Sequence, residues 1–354
     1  MMIALALVAA SLSGRFEFRE LHMGVEVRIV LHAEDASQAA TAARVAFDRV
    51  RAWDDALSDW REGTPAQRLP STAGSSMIVD GRLAAALDAS RRLGAVTDGG
   101  FDAALGSLTR LWREARRTRV MPTDSQIDRA RDAAGAGAWA WDPPERRFTA
   151  LRDGVRMDFG AIAQGLAADD ALASLRTAGL PSALVDVSGD IAVGAPPPGA
   201  DGWRIGIAPH VDGAPEEQLL LRDCAISTSG DRVQRIRIGD VEVGHLLDPR
   251  NGRPLPALRQ ATVVADTAAT ADAVATALCT LPMQEARRVA DRLAQAARID
   301  RAPEEGGVVT TGAWRTIRRA SSDPADAPSE PEAPRPSPAT PASGPPDSPA
   351  RPSR

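Results

Sequence analysis

The hydrophobic pattern of the chain changes at Gly179, and this change constrains the fold more than any other feature. Before Gly179, apolar residues recur at helical spacing over 35–57, 81–95, 124–134 and 161–178, and strands are predicted over 24–32 and 155–158. After it, short alternating segments between Gly, Pro and Asp turns predict strands over 183–187, 191–194, 203–208, 225–228, 233–238 and 241–245. A strand over 261–266, helices over 270–280 and 283–296 and a strand over 307–311 complete a predicted α+β fold.

The composition is that of a globular protein and excludes one class of partner. The chain has 354 residues, of which 44% are hydrophobic and 25% charged, so it can bury a sizeable core. Its net charge of -5 and aromatic content of 4% leave neither a basic surface for a phosphate backbone nor many rings for base stacking. We therefore expect no nucleic-acid partner. Cys224 and Cys279 lack the spacing of a metal site and are predicted to be small buried residues.

Both ends of the chain differ from the part between them. Residues 1–14 form an apolar run of signal-peptide length without the usual positive residues, so a signal, a first strand and a misplaced start all stay open. A signal would make the protein periplasmic or membrane-associated, and otherwise it would be cytoplasmic. From Ser321 onward, 11 of the 34 residues are proline and large apolar residues are almost absent, which predicts a disordered tail over 321–354.

Three turns that combine glycine with polar residues stand beside predicted strands. MDFGAIAQG (157–165) leads from a strand end into a helix, whose first backbone N–H groups can bind an anion. VSGD (187–190) and STSGD (227–231) contain a glycine that lets a ligand approach the backbone closely. Plain structural turns have similar sequences, so the patterns alone leave both interpretations open.

Two further patterns are typical of cation binding and proton transfer. Asp272 and Thr276 lie four residues apart in a predicted helix, so their oxygens share one face and can hold a hard cation or form a surface hydrogen bond. His245 is one of only four histidines and precedes the turn sequence DPRNG. A histidine there can act as a general base or can simply pack against the turn.

These segments, in this order, resemble the ApbE family of FAD:protein FMN transferases. The similarity covers about residues 20–312 of a predicted domain over 15–320, and its motifs are MGVEV, ALSDW, GGFDAALGSLTRLW, MDFGAIAQG, VDVSGDIAVG, ISTSGD, HLLDPRNGRP and ADAVATAL. It implies a mixed fold with central, mainly antiparallel sheets flanked by helices. It also implies an Mg²⁺-dependent enzyme that cleaves FAD, attaches FMN through a phosphoester to a threonine of a partner flavoprotein and releases AMP.

The resemblance also implies roles for particular residues. The carbonyl of Ala161, together with Asp272 and Thr276, falls where the family holds magnesium, and His245 falls on the catalytic base. The positions that match the family's FAD contacts are Met23, Trp60, Gly100, Phe101, Asp102, Asp158, Gln164 and Leu247.

Three positions depart from the family pattern. The family usually has lysine at Gln164, asparagine near Pro70 and often tyrosine at Arg232. Glutamine still donates a hydrogen bond but brings no charge, whereas Pro70 lacks both a polar side chain and a backbone N–H. An FAD-binding protein, or a slow FAD pyrophosphatase without protein transfer, is therefore the alternative function.

A third alternative is that the chain is itself an acceptor of FMN. The segment GGVVTTGAW (306–314) partly resembles the threonine-containing signal that the family modifies. It lacks the residue expected after the Gly-Ala pair, so a terminal strand is the favoured interpretation.

Overall fold

The computed structural model describes residues 14–59, 61–207, 217–230, 235–238, 241–255, 259–302 and 305–317. Residues 1–13 and the predicted tail over 321–354 lie outside this range, and so do Trp60 and Arg232. Within the described residues, no helix is both long enough and apolar enough to cross a membrane.

Helices and strands alternate irregularly along the chain, as an α+β fold requires. The helices are α1 (Ala36–Leu57), α2 (Gly81–Val96), α3 (Gly106–Thr118), α4 (Asp124–Asp132), α5 (Ala163–Thr177), α6 (Ala268–Thr280), α7 (Met283–Leu293) and α8 (Gly312–Thr316). The strands are β1 (Gly14–His22), β2 (Val25–Ala33), β3 (Ser76–Ile78), β4 (Trp139–Asp142), β5 (Arg147–Ala150), β6 (Ala183–Val187), β7 (Asp190–Val193), β8 (Trp203–Ile207), β9 (Glu217–Leu221), β10 (Cys224–Gly230), β11 (Arg235–Ile238), β12 (Val241–Gly244), β13 (Leu247–Asp248), β14 (Arg253–Pro254), β15 (Arg259–Ala265), β16 (Ala296–Arg301) and β17 (Val308–Thr310).

An eight-stranded antiparallel sheet forms the centre of the fold, in the order β1-β2-β6-β7-β10-β15-β16-β17. Successive residues of a strand face opposite sides of a sheet, and here both sides are buried. Ile29 and Leu31 pack with the helices in the main core, whereas Val30 packs with Trp203 of β8 in a second cluster. The predicted α+β class, with antiparallel sheets flanked by helices, is confirmed.

Helix α1 forms where the sequence predicts it, because its start signal and its apolar spacing agree. The Asp35 side chain accepts a hydrogen bond of 2.8 Å from the backbone N–H of Gln38, which caps the first turn. The buried residues recur every three or four positions, from Ala39 to Leu57, so one face of the helix packs on the sheet.

The predicted strand over 155–158 is wrong. This segment belongs to no sheet, because its backbone forms hydrogen bonds with the loop before α3 and with the first residue of α3. The Gly106 N–H donates to the carbonyl of Arg156 over 3.0 Å, and the Asp158 N–H donates to the carbonyl of Ala103 over 2.7 Å. The segment therefore ties the loop before α3 to the start of α5.

Helix α6 is buried on almost every side, so protein groups have to satisfy the polar atoms at its ends. At its start, one carboxylate of α5, that of Asp169, accepts hydrogen bonds from the N–H groups of Ala268 (2.8 Å) and Ala269 (3.0 Å). At its end, three guanidinium groups donate hydrogen bonds to the last carbonyls. Arg301 donates to Leu278 (2.7 Å) and Leu281 (2.6 Å). Arg259 donates to Cys279 (3.0 Å), and Arg250 donates to Thr280 (2.7 Å).

The packing of α5 against α6 depends on the absence of a side chain at Gly165. A Cβ atom added at this position would lie 2.5 Å from the carbonyl oxygen of Ala268 and 2.6 Å from the nitrogen of Ala269. Both are backbone atoms of the buried helix, so neither can move without moving α6.

We predict that Gly165→Ala lowers the free energy of unfolding by about 1–3 kcal/mol, because overpacking forces two helices apart. Gly94→Ala is the matched control, since its Cβ would meet only the Phe101 carbonyl oxygen at an ordinary 3.5 Å inside helix α2. For this control we expect the free energy of unfolding to rise by about 0.5–1 kcal/mol, because alanine has a higher helix propensity than glycine. Urea titration of the two variants measures both values, and a similar loss in both would refute the close contact.

Candidate active site

Ten of the twelve residues to which the sequence assigns a role line one cavity of about 710 Å³. These ten residues come from distant parts of the chain. They are Gly100, Phe101, Asp102, Asp158, Ala161, Gln164, His245, Leu247, Asp272 and Thr276. Met23 does not line it. Met23 occupies the turn between β1 and β2 with φ 54°, and its N–H donates to the Asp54 carboxylate over 3.3 Å. Val25, two residues later in the chain, does line the cavity.

The loop of Gly100 to Asp102 forms one wall. Gly100 lies against α6, since an added Cβ would come within 2.7 Å of the Leu281 Cγ atom, and its carbonyl accepts the Thr280 hydroxyl over 2.7 Å. Burial raises the pKa of the Asp102 carboxyl, and the N–H of Ala104, 2.7 Å from it, offsets part of that rise. The loop is thus attached to the C-terminal end of α6.

The segment that leads into α5 forms a second wall and contributes Asp158, Ala161 and Gln164. The Asp158 carboxylate accepts the Gly160 N–H over 2.8 Å, which closes a tight turn directly before the helix. Because Ile162 stands at the N-cap, no side chain of α5 caps the first turn. Ala161 and Gln164 lie on either side of this N-cap and both line the cavity, so the start of the helix forms part of the cavity wall.

Helix α6 presents Asp272 and Thr276 to the cavity from successive turns of one face. Asp272 is only 4% exposed and accepts one long hydrogen bond, 3.4 Å, from the N–H of Gly165. The Thr276 hydroxyl pairs with that of Ser229 on β10 at 2.9 Å. Burial, and then the nearby charge of Asp190, raise the pKa of Asp272 well above its usual range.

His245 follows β12 and is half-buried at the edge of the cavity, with Leu247 beside it. The turn after it is held together by Asp248, whose carboxylate accepts two hydrogen bonds, of 2.9 Å and 2.8 Å, from the Arg250 guanidinium. The same guanidinium reaches the Thr280 carbonyl, and the indole of Trp112 donates to the Gly252 carbonyl over 2.8 Å. These bonds fix the histidine turn relative to both α6 and α3.

Two arginines of α3 that the sequence analysis does not identify also line the cavity, Arg113 and Arg116. Arg113 forms an ion pair with Asp59 and approaches the Asp158 carboxylate at 3.9 Å. Burial and the charge of Asp158 raise the pKa of Asp59, and the guanidinium offsets part of this rise. Positive charge therefore enters the cavity from α3, whereas Gln164 of α5 brings none.

Asp190 is a further carboxylate of the cavity, and the sequence does not mark it as a site residue. The VSGD segment is a two-residue hairpin turn in which Ser188 (φ 56°) and Gly189 (φ 100°) join β6 to β7. Asp190 follows as the first residue of β7, is 7% exposed and accepts the Ser227 hydroxyl over 2.5 Å. The sequence marks this motif as a turn of glycine and acid, but nothing there indicates that the acid is buried.

The cavity suits a divalent cation and an anionic ligand together. In the described part of the chain, neither Asp190 nor Asp272 forms an ion pair with a basic side chain. Buried carboxylates without a counter-charge are costly, and a carboxylate, a hydroxyl and a backbone carbonyl are oxygen donors of the kind that magnesium prefers. No group of three or more His, Cys, Asp or Glu side chains with metal-site geometry occurs among the described residues.

Known proteins with similar sequences indicate one family for this chain. A family model described as the ApbE family matches residues 23–299. The FAD:protein FMN transferase of Rhodobacter capsulatus is 29% identical over 265 residues, which are 73% of this chain and 50% of that protein, so the chain spans about half that relative's length. The FAD:protein FMN transferase of Salmonella typhimurium is 28% identical over 287 residues, which are 76% of this chain and 79% of that protein.

Solved structures share the fold. The ApbE protein of Thermotoga maritima superposes with a TM-score of 0.77 at 24% identity, over 87% of this chain and all of that one. The flavinyl transferase ApbE of Pseudomonas stutzeri gives a TM-score of 0.75 at 26% identity, over 87% of this chain and 98% of that one. Since the family model spans well over half of the residues and the fold agrees with these structures, the chain belongs to the ApbE family.

Proposed function

We propose that this protein is an FAD:protein FMN transferase. It would cleave the pyrophosphate of FAD and attach FMN through a phosphoester to a threonine of a partner flavoprotein. The observation that carries the proposal is one cavity, where residues from separate segments of the chain meet with the chemistry that this reaction needs. The relatives that share this chain's sequence over about three quarters of its length bear the same name.

The transfer forms one bond at phosphorus, breaks another and releases one proton. The threonine oxygen of the acceptor bonds to the FMN phosphorus, and the bond from that phosphorus to the bridging oxygen breaks. AMP leaves with the bonding electron pair, and the threonine proton passes to a base. The protein therefore has to position a dinucleotide, exclude water from the phosphorus and accept one proton.

We assign magnesium to Asp272, Thr276 and the carbonyl of Ala161, which bring one carboxylate, one hydroxyl and one backbone oxygen to the same cavity. When bound, the ion supplies positive charge that neutralises the phosphate oxygens. The Gly165 N–H and the Ser229 hydroxyl hold the two side chains in place.

FAD would occupy the same cavity. The residues that we assign to its binding are Gly100, Phe101, Asp102, Asp158, Gln164 and Leu247, together with Met23 near the cavity and Trp60, which lies outside the described residues. Arg113 and Arg116 add the positive charge that Gln164 does not bring. Such charge favours a pyrophosphate over an uncharged ligand.

His245 is our candidate for the base, because it lines the cavity on a turn that is held rigidly to α6. Asp248 is a poor alternative. Its burial alone would raise the pKa of the carboxyl, but the hydrogen bonds and charge of Arg250 outweigh this and hold the pKa below its usual range. A carboxylate that is already paired in this way binds a proton weakly, so the histidine is the better acceptor.

The decisive experiment incubates the protein with FAD, Mg²⁺ and a threonine-bearing flavoprotein subunit. We expect the acceptor to gain the mass of one FMN phosphoester and to become fluorescent on a denaturing gel, with AMP released in equal amount. A Thr→Val acceptor is the control. Release of FMN and AMP with no labelled acceptor would favour the slow pyrophosphatase, and FAD binding without cleavage would favour a simple flavin-binding protein.

We predict that Asp272→Ala abolishes transfer at ordinary magnesium concentrations and that excess magnesium restores part of it. One anionic ligand is lost, while the neutral oxygens of Thr276 and Ala161 remain. Asp291→Ala, which removes an exposed carboxylate of α7, is the matched control and should leave the magnesium dependence unchanged. Titrating activity against Mg²⁺ checks this, and an unfolded variant with unaltered metal dependence would make Asp272 merely structural.

We predict that His245→Ala retains FAD binding but loses transfer by on the order of a hundredfold or more, as expected on removal of a positioned base. Fluorescence titration with FAD separates a loss of chemistry from a loss of affinity. His32→Ala serves as the control, because His32 lies beside Trp203, outside the cavity. Transfer at the native rate by the His245→Ala enzyme would exclude His245 as the base.

A further inference from the structure

Strand β10 places a buried acid beside the cation-ligand face of α6. Ser227 and Ser229 lie two residues apart on this strand and therefore project from the same side of it. The Ser227 hydroxyl donates to the Asp190 carboxylate over 2.5 Å, and the Ser229 hydroxyl pairs with that of Thr276 at 2.9 Å. Two neighbouring serines thus hold Asp190 next to the helix that carries Asp272.

Packing gives no reason for an acid at this place. Asp190 begins β7, all four residues of which are buried, and every other residue of that strand is apolar. It forms no ion pair in the described part of the chain, although it lines the cavity. A buried carboxylate without a counter-charge normally costs several kcal/mol, which a bound cation would offset.

The charges of the two carboxylates agree with this geometry. Asp190 and Asp272 are both buried and both line the cavity, so their ionised forms repel each other. Repulsion between two buried carboxylates is relieved when a divalent cation binds near both. The main chain helps to fix the position, because the tight turn at Ser188 and Gly189 sets the start of β7.

We propose that Asp190 supplies a second carboxylate to the cation site of Asp272, Thr276 and the Ala161 carbonyl, and that Ser227 orients it. The inference rests on the proposed function, which assigns a cation to this cavity. It raises the negative charge of the site from one to two, which matches the charge of a divalent ion. Higher ligand charge at a rigid oxygen site means tighter binding.

The test measures Mn²⁺ binding to the full chain, without FAD, by electron paramagnetic resonance and calorimetry. We expect Asp190→Asn to weaken Mn²⁺ binding on the order of 10- to 100-fold, comparable with losses seen when groups around a metal are removed. Asp291→Asn is the matched control. It removes an exposed carboxylate of α7 that does not line the cavity, so Mn²⁺ affinity should stay within about twofold of native.

A second measurement distinguishes ligation from a structural role. In the presence of a chelator, Asp190→Asn should melt at a higher temperature than the native chain, because the repulsion with Asp272 is gone. At saturating Mn²⁺ the order should reverse, because the native chain gains more from the ion. A lower melting temperature by the same amount in both conditions would overturn the proposal.

Ser227→Ala keeps both charges and removes only the hydroxyl that orients Asp190, so it covers the case in which Asp190→Asn fails to fold. We expect a smaller loss of Mn²⁺ affinity, about threefold to tenfold. Native affinity in both variants would overturn this inference alone. If the native chain binds FAD but no Mn²⁺, the cation site of the proposed function is itself wrong, and the inference falls with it.

Discussion

The buried position of helix α6 is the constraint on which the rest of the structure depends. A helix whose first and last residues are buried has to find protein partners for their N–H and C=O groups. Asp169 meets this need at one end, and Arg250, Arg259 and Arg301 meet it at the other. Each of these residues comes from a different element, so the capping of one helix also joins α5, the histidine turn, β15 and β16 around it.

The same bonds bring the site together. The Thr280 carbonyl accepts a hydrogen bond from Arg250, and the Thr280 hydroxyl donates one to the Gly100 carbonyl. One residue at the end of α6 therefore holds both the histidine turn and the loop of Phe101. At the other end, the close approach of Gly165 places the residues before α5 near Asp272. The packing of a single helix thus sets the distances between His245, the proposed cation ligands and the residues proposed to contact flavin.

Much of this could be predicted from the sequence, and the failures have physical causes. Helix α1, with its capping Asp35, and the alternating strands after Gly179 follow local rules, and the ordered motifs gave the family correctly. Helix α3 was missed because its glycine-rich approach resembles a turn, and Arg113 and Arg116 were missed with it. Asp190 was missed because burial of an acid depends on partners distant in sequence, here Ser227, which no local pattern indicates.

The two ends of α6 differ in their response to acidity. Arginine stays protonated under all ordinary conditions, and the chain contains no lysine, so the C-terminal end is held by charges that do not titrate. Burial raises the pKa of Asp169 at the other end to about 6. Because this lies above the ordinary value of 3.8, the folded chain binds the proton more readily, and stability from this group declines as the pH rises from about 4 to about 6. Mild acid therefore protonates Asp169 at the N-terminal end of this helix, whereas the guanidinium groups at its C-terminal end keep their charge.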